Sequence, residues 1–141
     1  MDAKDKLIID ELRRDARAPI KDIAKSTGIR PSTVHQRIQR LLREGTIEKF
    51  TIKTSDDAVG ESFAAFLLIK GSTRKYLPQR ILSDPHVKEV HGVTGEYDLL
   101  VKLKFADVKE FNAYLIEFRQ EHPEIQATLT MVGTAKLKED L

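Results

Sequence analysis

The first 44 residues place their apolar side chains at helical spacing in three short segments. A first helix is predicted over residues 3–14, because Asp2 can cap it and apolar residues recur on one side. A second helix is predicted over residues 20–26 and a third over residues 31–44. Gly28 lies between them and suits the left-handed residue that follows a helix end. The inward positions are Leu7, Ile8, Ile9 and Leu12, then Ile20, Ile23 and Ala24, then Val34, Ile38, Leu41 and Leu42.

The residues that follow change from helical spacing to alternation. Residues 46–53 are rich in β-branched side chains and predict an extended wing or hairpin. The remaining predicted elements are a strand at 63–70, a short helix at 77–82, strands at 87–94 and 97–105, a helix at 108–121 and a strand at 126–136. Gly95 and Glu96 form the predicted turn between the two middle strands, and Asp107 resembles a helix cap.

Together these elements predict an α+β chain, with an N-terminal winged helix-turn-helix followed by a ferredoxin-like βαββαβ regulatory domain. We expect the first domain at residues 1–53 and a polar linker at 54–62. The second domain, a sensor or assembly module, is expected at 63–141.

The outer face of the third helix is polar, basic and free of acidic residues. Such groups bond base edges and phosphates, and recognition helices enter the major groove with their N-terminal end deepest. We therefore expect base contacts from Ser32, Thr33 and Gln36 and phosphate contacts from Arg40 and Arg43. The complete predicted DNA-binding set is Lys25, Arg30, Ser32, Thr33, Gln36, Arg37, Gln39, Arg40 and Arg43. Two alternatives stay open: a solvated helix in a protein-interaction module, and an Arg37 that pairs with Asp22 or another carboxylate.

The net charge of +2 is unevenly distributed along the chain. Residues 1–53 hold 13 Lys and Arg against 8 Asp and Glu, a net of +5, while residues 54–141 hold 11 against 14, a net of −3. A basic first half suits a polyanion such as double-stranded DNA.

Composition restricts the class of protein. The chain has 141 residues, 40% hydrophobic and 33% charged, which is typical of a folded protein. Cysteine is absent, which excludes disulfides and thiolate chemistry. The longest apolar run, residues 63–69, is too short to span a bilayer, and the N-terminus lacks the profile of a signal peptide. We therefore expect a cytoplasmic protein with no membrane partner.

Three segments resemble the leucine-responsive and asparagine-responsive (Lrp/AsnC) regulator family. They are DKLIIDELRRDARAPIKDIAKSTGI, PSTVHQRIQRLLREGTIEKFT and VTGEYDLLVKL. The resemblance implies a ferredoxin-like regulatory domain, homodimers that assemble into higher oligomers such as octamers, and an amino acid or similar metabolite as effector. Arg30 departs from the serine that many members carry before the recognition helix. Because arginine cannot cap through a side-chain oxygen, we expect Ser32 to cap a slightly later start.

The same resemblance implies effector binding at the GEYD hairpin, by Thr94, Gly95, Glu96, Tyr97 and Asp98. The Asp98 carboxylate suits an α-ammonium group, and backbone N–H groups around Gly95 suit an α-carboxylate. In the alternative interpretation, Gly95 supplies a positive φ and Asp98 caps the turn. Alternation along residues 97–105 leaves a mixed second sheet face around Leu100, which suits a second subunit.

Neither a phosphate-binding loop nor a catalytic motif is present in the sequence, and we expect no enzymatic activity, cofactor or metal. The four histidines, His35, His86, His91 and His122, are expected at surface or turn positions. Two other functions remain open. The first is that of a tetrapyrrole (sirohaem) decarboxylase, since such enzymes share the two-domain outline. The second is that of a stand-alone metabolite-binding protein, which would leave the acid-free helix face unexplained.

Overall fold

A computed structural model describes residues 1–71 and 79–140. It divides into two compact units, Met1–Lys53 and Thr54–Leu141, each with its own hydrophobic core. Each unit is considered separately below.

The first unit contains three helices, as predicted. They are α1 (Ala3–Arg14), α2 (Ile20–Thr27) and α3 (Pro31–Arg43). Asp2 caps α1 in a capping box, and Gly28 ends α2 at a φ of +72°. The core contains Ile8, Ile23, Ala24, Ile29, Val34 and Ile38. The predicted stripe on α1 was too wide, because Leu7 is 47% exposed while Ile8 is fully buried.

Residues 46–53 differ from the prediction of a wing. Between residues 44 and 62, all of which are described, the structure has no strand. Phe50 and Ile52 are 48% and 75% exposed. A strand requires a hydrogen-bonded neighbour, and the described part of the chain offers none to this segment.

The second unit has the predicted βαββαβ order. Its elements are β1 (Phe63–Lys70), α4 (Gln79–Leu82), β2 (Val87–Gly92), β3 (Leu99–Phe105), α5 (Val108–Glu121) and β4 (Ala127–Val132). The strands form one antiparallel sheet in the order β2-β3-β1-β4. Asp107 caps α5 by accepting a hydrogen bond from the Glu110 N–H at 2.8 Å. The predicted first residues of the short helix, Leu77 and Pro78, lie outside the described residues.

The two middle strands are shorter than predicted, and no two-residue turn joins them. β2 ends at Gly92 and β3 begins at Leu99, so residues 93–98 form the connection. The Asp98 N–H donates to the Ile69 carbonyl at 2.8 Å, while the Val93 N–H donates to the Asp98 carbonyl at 2.9 Å. Asp98 therefore joins the end of β1 to this connection. β4 is also shorter than predicted and ends at Val132.

The two faces of the sheet differ in character. One face packs against α5 and forms the core with Ala65, Leu67, Ile69, Leu99, Val101, Leu103, Phe105, Phe111 and Phe118. The register places Phe66 beside Met131 and Leu68 beside both Leu100 and Leu129 on the other face. Leu129 and Met131 are 44% and 43% exposed, so this second face has a partly open apolar region.

Candidate functional site

The exposed face of α3 carries hydroxyl, amide and guanidinium groups. Ser32, Gln36, Gln39 and Arg43 are exposed, and Thr33 is half-buried. Val34, Ile38 and Leu41 are buried on the opposite face. The groups that border a shallow groove along this helix are Asp2, Thr33, His35, Gln36, Arg37, Gln39, Arg40 and Arg43. The structure thus collects most of the predicted DNA-binding residues on one surface, and exposed Lys25 and Arg30 flank the preceding turn.

The start of α3 corrects one expectation. The helix begins at Pro31, with Arg30 as its N-cap and no hydrogen bond from a side chain to that cap. Arg30 has a polyproline-type conformation, with φ −57° and ψ +141°, which a following proline allows, and the proline fixes the first helical φ. The prediction that Ser32 caps a later start was therefore wrong, and Ser32 is exposed in the first turn.

Two arginines of α3 are bound to acidic residues at the start of α1. Arg37 Nη1 lies 2.8 Å from Asp2 Oδ2 and 2.8 Å from Asp5 Oδ1. Arg40 Nη2 lies 2.6 Å from the same Asp5 oxygen. Arg37 thus pairs with neighbouring carboxylates, as the alternative interpretation expected, although they are not Asp22.

Asp5 is a buried charge that the sequence analysis missed. Its exposed fraction is 1%. Burial by itself raises the pKa of this carboxyl, but hydrogen bonds from the Asp2 N–H, Arg37 and Arg40 outweigh it and lower the pKa. One signal was available, since Asp5 lies three residues before Ile8 and hence on the buried side of α1. A carboxylate in such a position requires a cationic partner.

The predicted effector residues lie in the connection between β2 and β3 and differ in their exposure to solvent. Thr94, Gly95 and Glu96 are exposed, whereas Tyr97 and Asp98 are half-buried. Gly95 adopts a φ of +113°, as the structural alternative expected. Asp98 Oδ2 accepts a hydrogen bond from the Gly71 N–H at 2.8 Å, so the carboxylate holds the end of β1.

A second charged cluster lies on the partly open face of the sheet. Lys104 is 7% exposed, and its Nζ lies 2.8 Å from Asp56 Oδ1 and 3.2 Å from Glu139 Oε1. Glu139 also pairs with Lys102. Hydrogen bonds from Lys104 and Lys136 lower the pKa of Asp56 to about 2. Asp56, which the sequence suggested for a linker, is thus attached to the sheet.

One of the histidines expected at surface or turn positions, His122, is buried at the turn that follows α5. His122 is 5% exposed and its ring packs against Phe118. His86 stacks on Phe105 and hydrogen-bonds to Asp84 and Glu110. Within residues 1–71 and 79–140, no group of His, Cys, Asp or Glu side chains has a geometry suited to a metal ion.

None of the helices in the described part of the chain is both long enough and apolar enough to cross a membrane.

Comparison with known proteins covers both units. The model of the AsnC-type helix-turn-helix domain matches residues 1–42, and that of the Lrp/AsnC ligand-binding domain matches residues 64–141. An HTH-type transcriptional regulator of Pyrococcus furiosus is 40% identical over 146 aligned positions, which cover 100% of this chain and 97% of the relative.

Solved structures show the same fold. An AsnC family transcriptional regulator from Agrobacterium tumefaciens superposes with a TM-score of 0.91 at 21% identity, covering 99% of this chain and 94% of the other. The transcriptional regulator NMB0573 of Neisseria meningitidis, in complex with L-Met, gives a TM-score of 0.89 at 19% identity with the same coverage. With both domain models matched in order and a full-length relative at 40% identity, the chain belongs to the Lrp/AsnC family of DNA-binding transcriptional regulators.

Proposed function

We propose that the chain recognises its operator by placing α3 in a major groove, with Ser32, Thr33 and Gln36 directed towards base edges. The acid-free, exposed face of α3 carries this proposal. Amide and hydroxyl groups at the N-terminal half of a recognition helix suit base edges. Arg43, together with Lys25 and Arg30, suits the phosphate backbone, which gives affinity that falls with salt.

Fluorescence anisotropy on the full chain tests this proposal. The probes are a duplex that the wild-type chain selects from a random-sequence library and a scrambled duplex of equal length. We expect tighter binding to the selected duplex and affinity for both that falls as salt rises. Equal affinity for the two duplexes, or affinity independent of salt, would contradict the proposal.

We also propose that the partly open sheet face forms a two-fold homodimer. Phe66, Leu68, Leu100, Leu129 and Met131 give this face an apolar surface that a monomer rarely leaves bare. Pairing identical patches would set a fixed separation between two DNA-binding units. Assembly of such dimers into larger closed oligomers, such as octamers, extends the same proposal.

Light scattering on the full chain tests whether the partly open sheet face, and not the side covered by α5, forms the dimer. Met131→Asp should give monomers at concentrations at which the wild-type chain is dimeric, because it buries an unpaired charge in the interface. Val108→Asp is the matched control, since Val108 is 62% exposed on α5. A dimeric Met131→Asp protein would contradict the proposal.

The effector is proposed to be an amino acid bound at residues 94–98. Support comes from the exposed backbone around Gly95, from the half-buried Asp98 carboxylate and from the L-Met complex of the Neisseria regulator. Backbone N–H groups can receive the α-carboxylate, and Asp98 can receive the α-ammonium group. An effector bound here would favour one assembly state over another if it bound that state more tightly.

Calorimetric titration with the proteinogenic amino acids, L-methionine included, tests the effector site. Asp98→Asn keeps an oxygen acceptor for the Gly71 N–H but removes the charge, so it should abolish binding while preserving the fold. Asp57→Asn, at an exposed position of the same unit, is the control. Unchanged binding by Asp98→Asn would contradict the assignment.

These roles describe a regulator acting on DNA in the cytoplasm and not an enzyme. The curated relative is a transcriptional regulator, and both matched domain models describe regulator domains. These matches favour regulation over the decarboxylase alternative.

A further inference from the structure

Asp5 contacts two arginines of the recognition helix through a single oxygen. Asp5 Oδ1 accepts hydrogen bonds from Arg37 Nη1 at 2.8 Å and from Arg40 Nη2 at 2.6 Å. Its other oxygen, Oδ2, accepts the Asp2 N–H at 3.0 Å. The carboxylate is therefore engaged by both α1 and α3, which fixes its position.

The two arginines are held in different ways. Arg37 Nη1 also lies 2.8 Å from each carboxylate oxygen of Asp2, and the Arg37 side chain is 21% exposed. Arg40 is 37% exposed, and its Nη1 lies 3.8 Å from a carboxylate oxygen of Glu44. Arg37 thus bridges α1 and α3, whereas more than a third of the Arg40 side chain stays exposed.

The position of Arg40 connects this cluster to the DNA-binding face. Arg40 borders the same groove as Gln36 and Arg43. A guanidinium carries five N–H donors in a rigid planar fork, so a bond along one edge fixes the direction of the remaining donors. The contact with Asp5 thereby orients Arg40 before any DNA is bound.

We propose that Asp5 is a positioning residue for sequence-specific DNA binding. It keeps Arg37 as a bridge within the protein and directs those Arg40 donors that do not face Asp5 towards one phosphate. The proposal rests on the proposed role of α3. Because Asp5 neutralises part of the charge of two adjacent arginines, it also limits their attraction to DNA of any sequence. Asp5 should therefore raise the ratio of affinity for the selected duplex to affinity for a scrambled one.

Asp5→Asn in the full chain tests the proposal, since it removes the charge and keeps the shape. We expect the affinity ratio to fall about tenfold or more. Binding to the scrambled duplex should become more dependent on salt, its slope steepening by about one unit as a released arginine gains a phosphate. A purely structural role would lower the melting temperature and leave this slope unchanged. Circular dichroism at the assay temperature checks that the protein is folded.

Asp10→Asn is the matched control, because Asp10 is exposed on the same helix and the change in charge is identical. It should leave the affinity ratio unchanged. Arg40→Lys provides a second variant that does not disturb the capping box of α1. A lysine can pair with Asp5 or with a phosphate but lacks the fork that serves both, so affinity for the selected duplex should fall about tenfold.

The outcomes separate this proposal from the proposed function. If the wild-type chain does not prefer the selected duplex, the role of α3 is wrong, and the inference falls with it. If the wild-type chain discriminates and a folded Asp5→Asn keeps both the ratio and the salt slope, the role of Asp5 alone is overturned. If Asp5→Asn does not fold, Arg40→Lys decides, and wild-type affinity in that variant overturns the proposal.

Discussion

The three-helix unit and the sheet unit use buried charge at different kinds of junction. In the first unit, Asp5 joins the start of α1 to α3 through Arg37 and Arg40. In the second, Lys104 joins the sheet to Asp56 before β1 and to Glu139 after β4. The first cluster borders the groove that we propose for DNA binding, whereas the second attaches chain segments beyond the strands. Similar ion pairs thus connect two helices in one unit and attach irregular segments to the sheet in the other.

Truncation of a core side chain should have the largest effect on stability. Ile8→Ala should lower the free energy of unfolding by about 2–5 kcal/mol, because the side chain is fully buried and its loss leaves a cavity. Leu7→Ala, at the neighbouring and 47% exposed position, should change stability by less than about 1 kcal/mol. Thermal unfolding followed by circular dichroism gives both values. Equal losses of stability in the two variants would contradict the packing of α1 with Ile8 buried and Leu7 exposed.

Variants of α3 that remove a base contact and variants that remove a phosphate contact should have different effects on DNA affinity. Gln36→Ala should weaken the binding free energy for the selected duplex by about 1–3 kcal/mol and leave that for the scrambled duplex unchanged. Arg43→Ala should weaken both and reduce the salt slope by about one unit, since one phosphate contact is lost. Anisotropy titrations over a salt series measure both quantities. Arg14→Ala, at an exposed arginine of α1, is the control. Identical behaviour of the two α3 variants would refute the division.

The cluster around Lys104 should make the second unit sensitive to acid. The pKa of Asp56 falls from its ordinary 3.8 to about 2 on folding, so its stabilising contribution is complete above about pH 4 and is lost as the pH falls towards 2. In the wild-type chain, this loss lowers the free energy of unfolding by on the order of 1 kcal/mol, a value reduced for solvent screening. Asp56→Asn should lack this part of the pH dependence. Thermal unfolding between pH 2 and 5 measures it. A variant as acid-sensitive as the wild type would exclude this role for Asp56.

The turn before α3 should show the smallest effect. Gly28→Ala should destabilise the first unit by about 1 kcal/mol, because a φ of +72° is unfavourable for a residue with a Cβ. Apart from Gly28 itself and the adjacent backbone, no atom lies within 4 Å of the added Cβ, so the penalty is one of backbone conformation. Gly92→Ala, at a glycine without a positive φ, is the comparison. The melting temperatures of the two variants test the difference, and equal values would contradict it.

Local signals explain why the helices of the first unit were predictable. The cap at Asp2, the stop at Gly28 and the proline at position 31 act within one turn of the helix ends that they define. The order of elements in the second unit also followed from apolar alternation. By contrast, the connection at 93–98 depends on the Ile69 carbonyl, which belongs to another strand.

Long-range pairing explains what the sequence did not reveal about the sites. Asp5 is separated from Arg37 by 32 residues and from Arg40 by 35, and Lys104 is separated from Asp56 by 48. Periodicity identifies which face a residue occupies but not the partner that reaches it from elsewhere in the chain. The sequence therefore predicted the polar, exposed face of α3 and missed the carboxylate that binds two of its arginines.

Footprinting of the full chain on the selected duplex tests the central claim most directly. Because a two-fold dimer reads paired half-sites, we expect two protected segments about one helical turn, or a multiple of it, apart. At the lowest protein concentration at which the wild-type chain fully protects both segments, Gln36→Ala should give only partial protection and Arg14→Ala should protect fully. The absence of a protected segment with the wild-type chain, or full protection by Gln36→Ala, would contradict the account of α3 as the recognition helix.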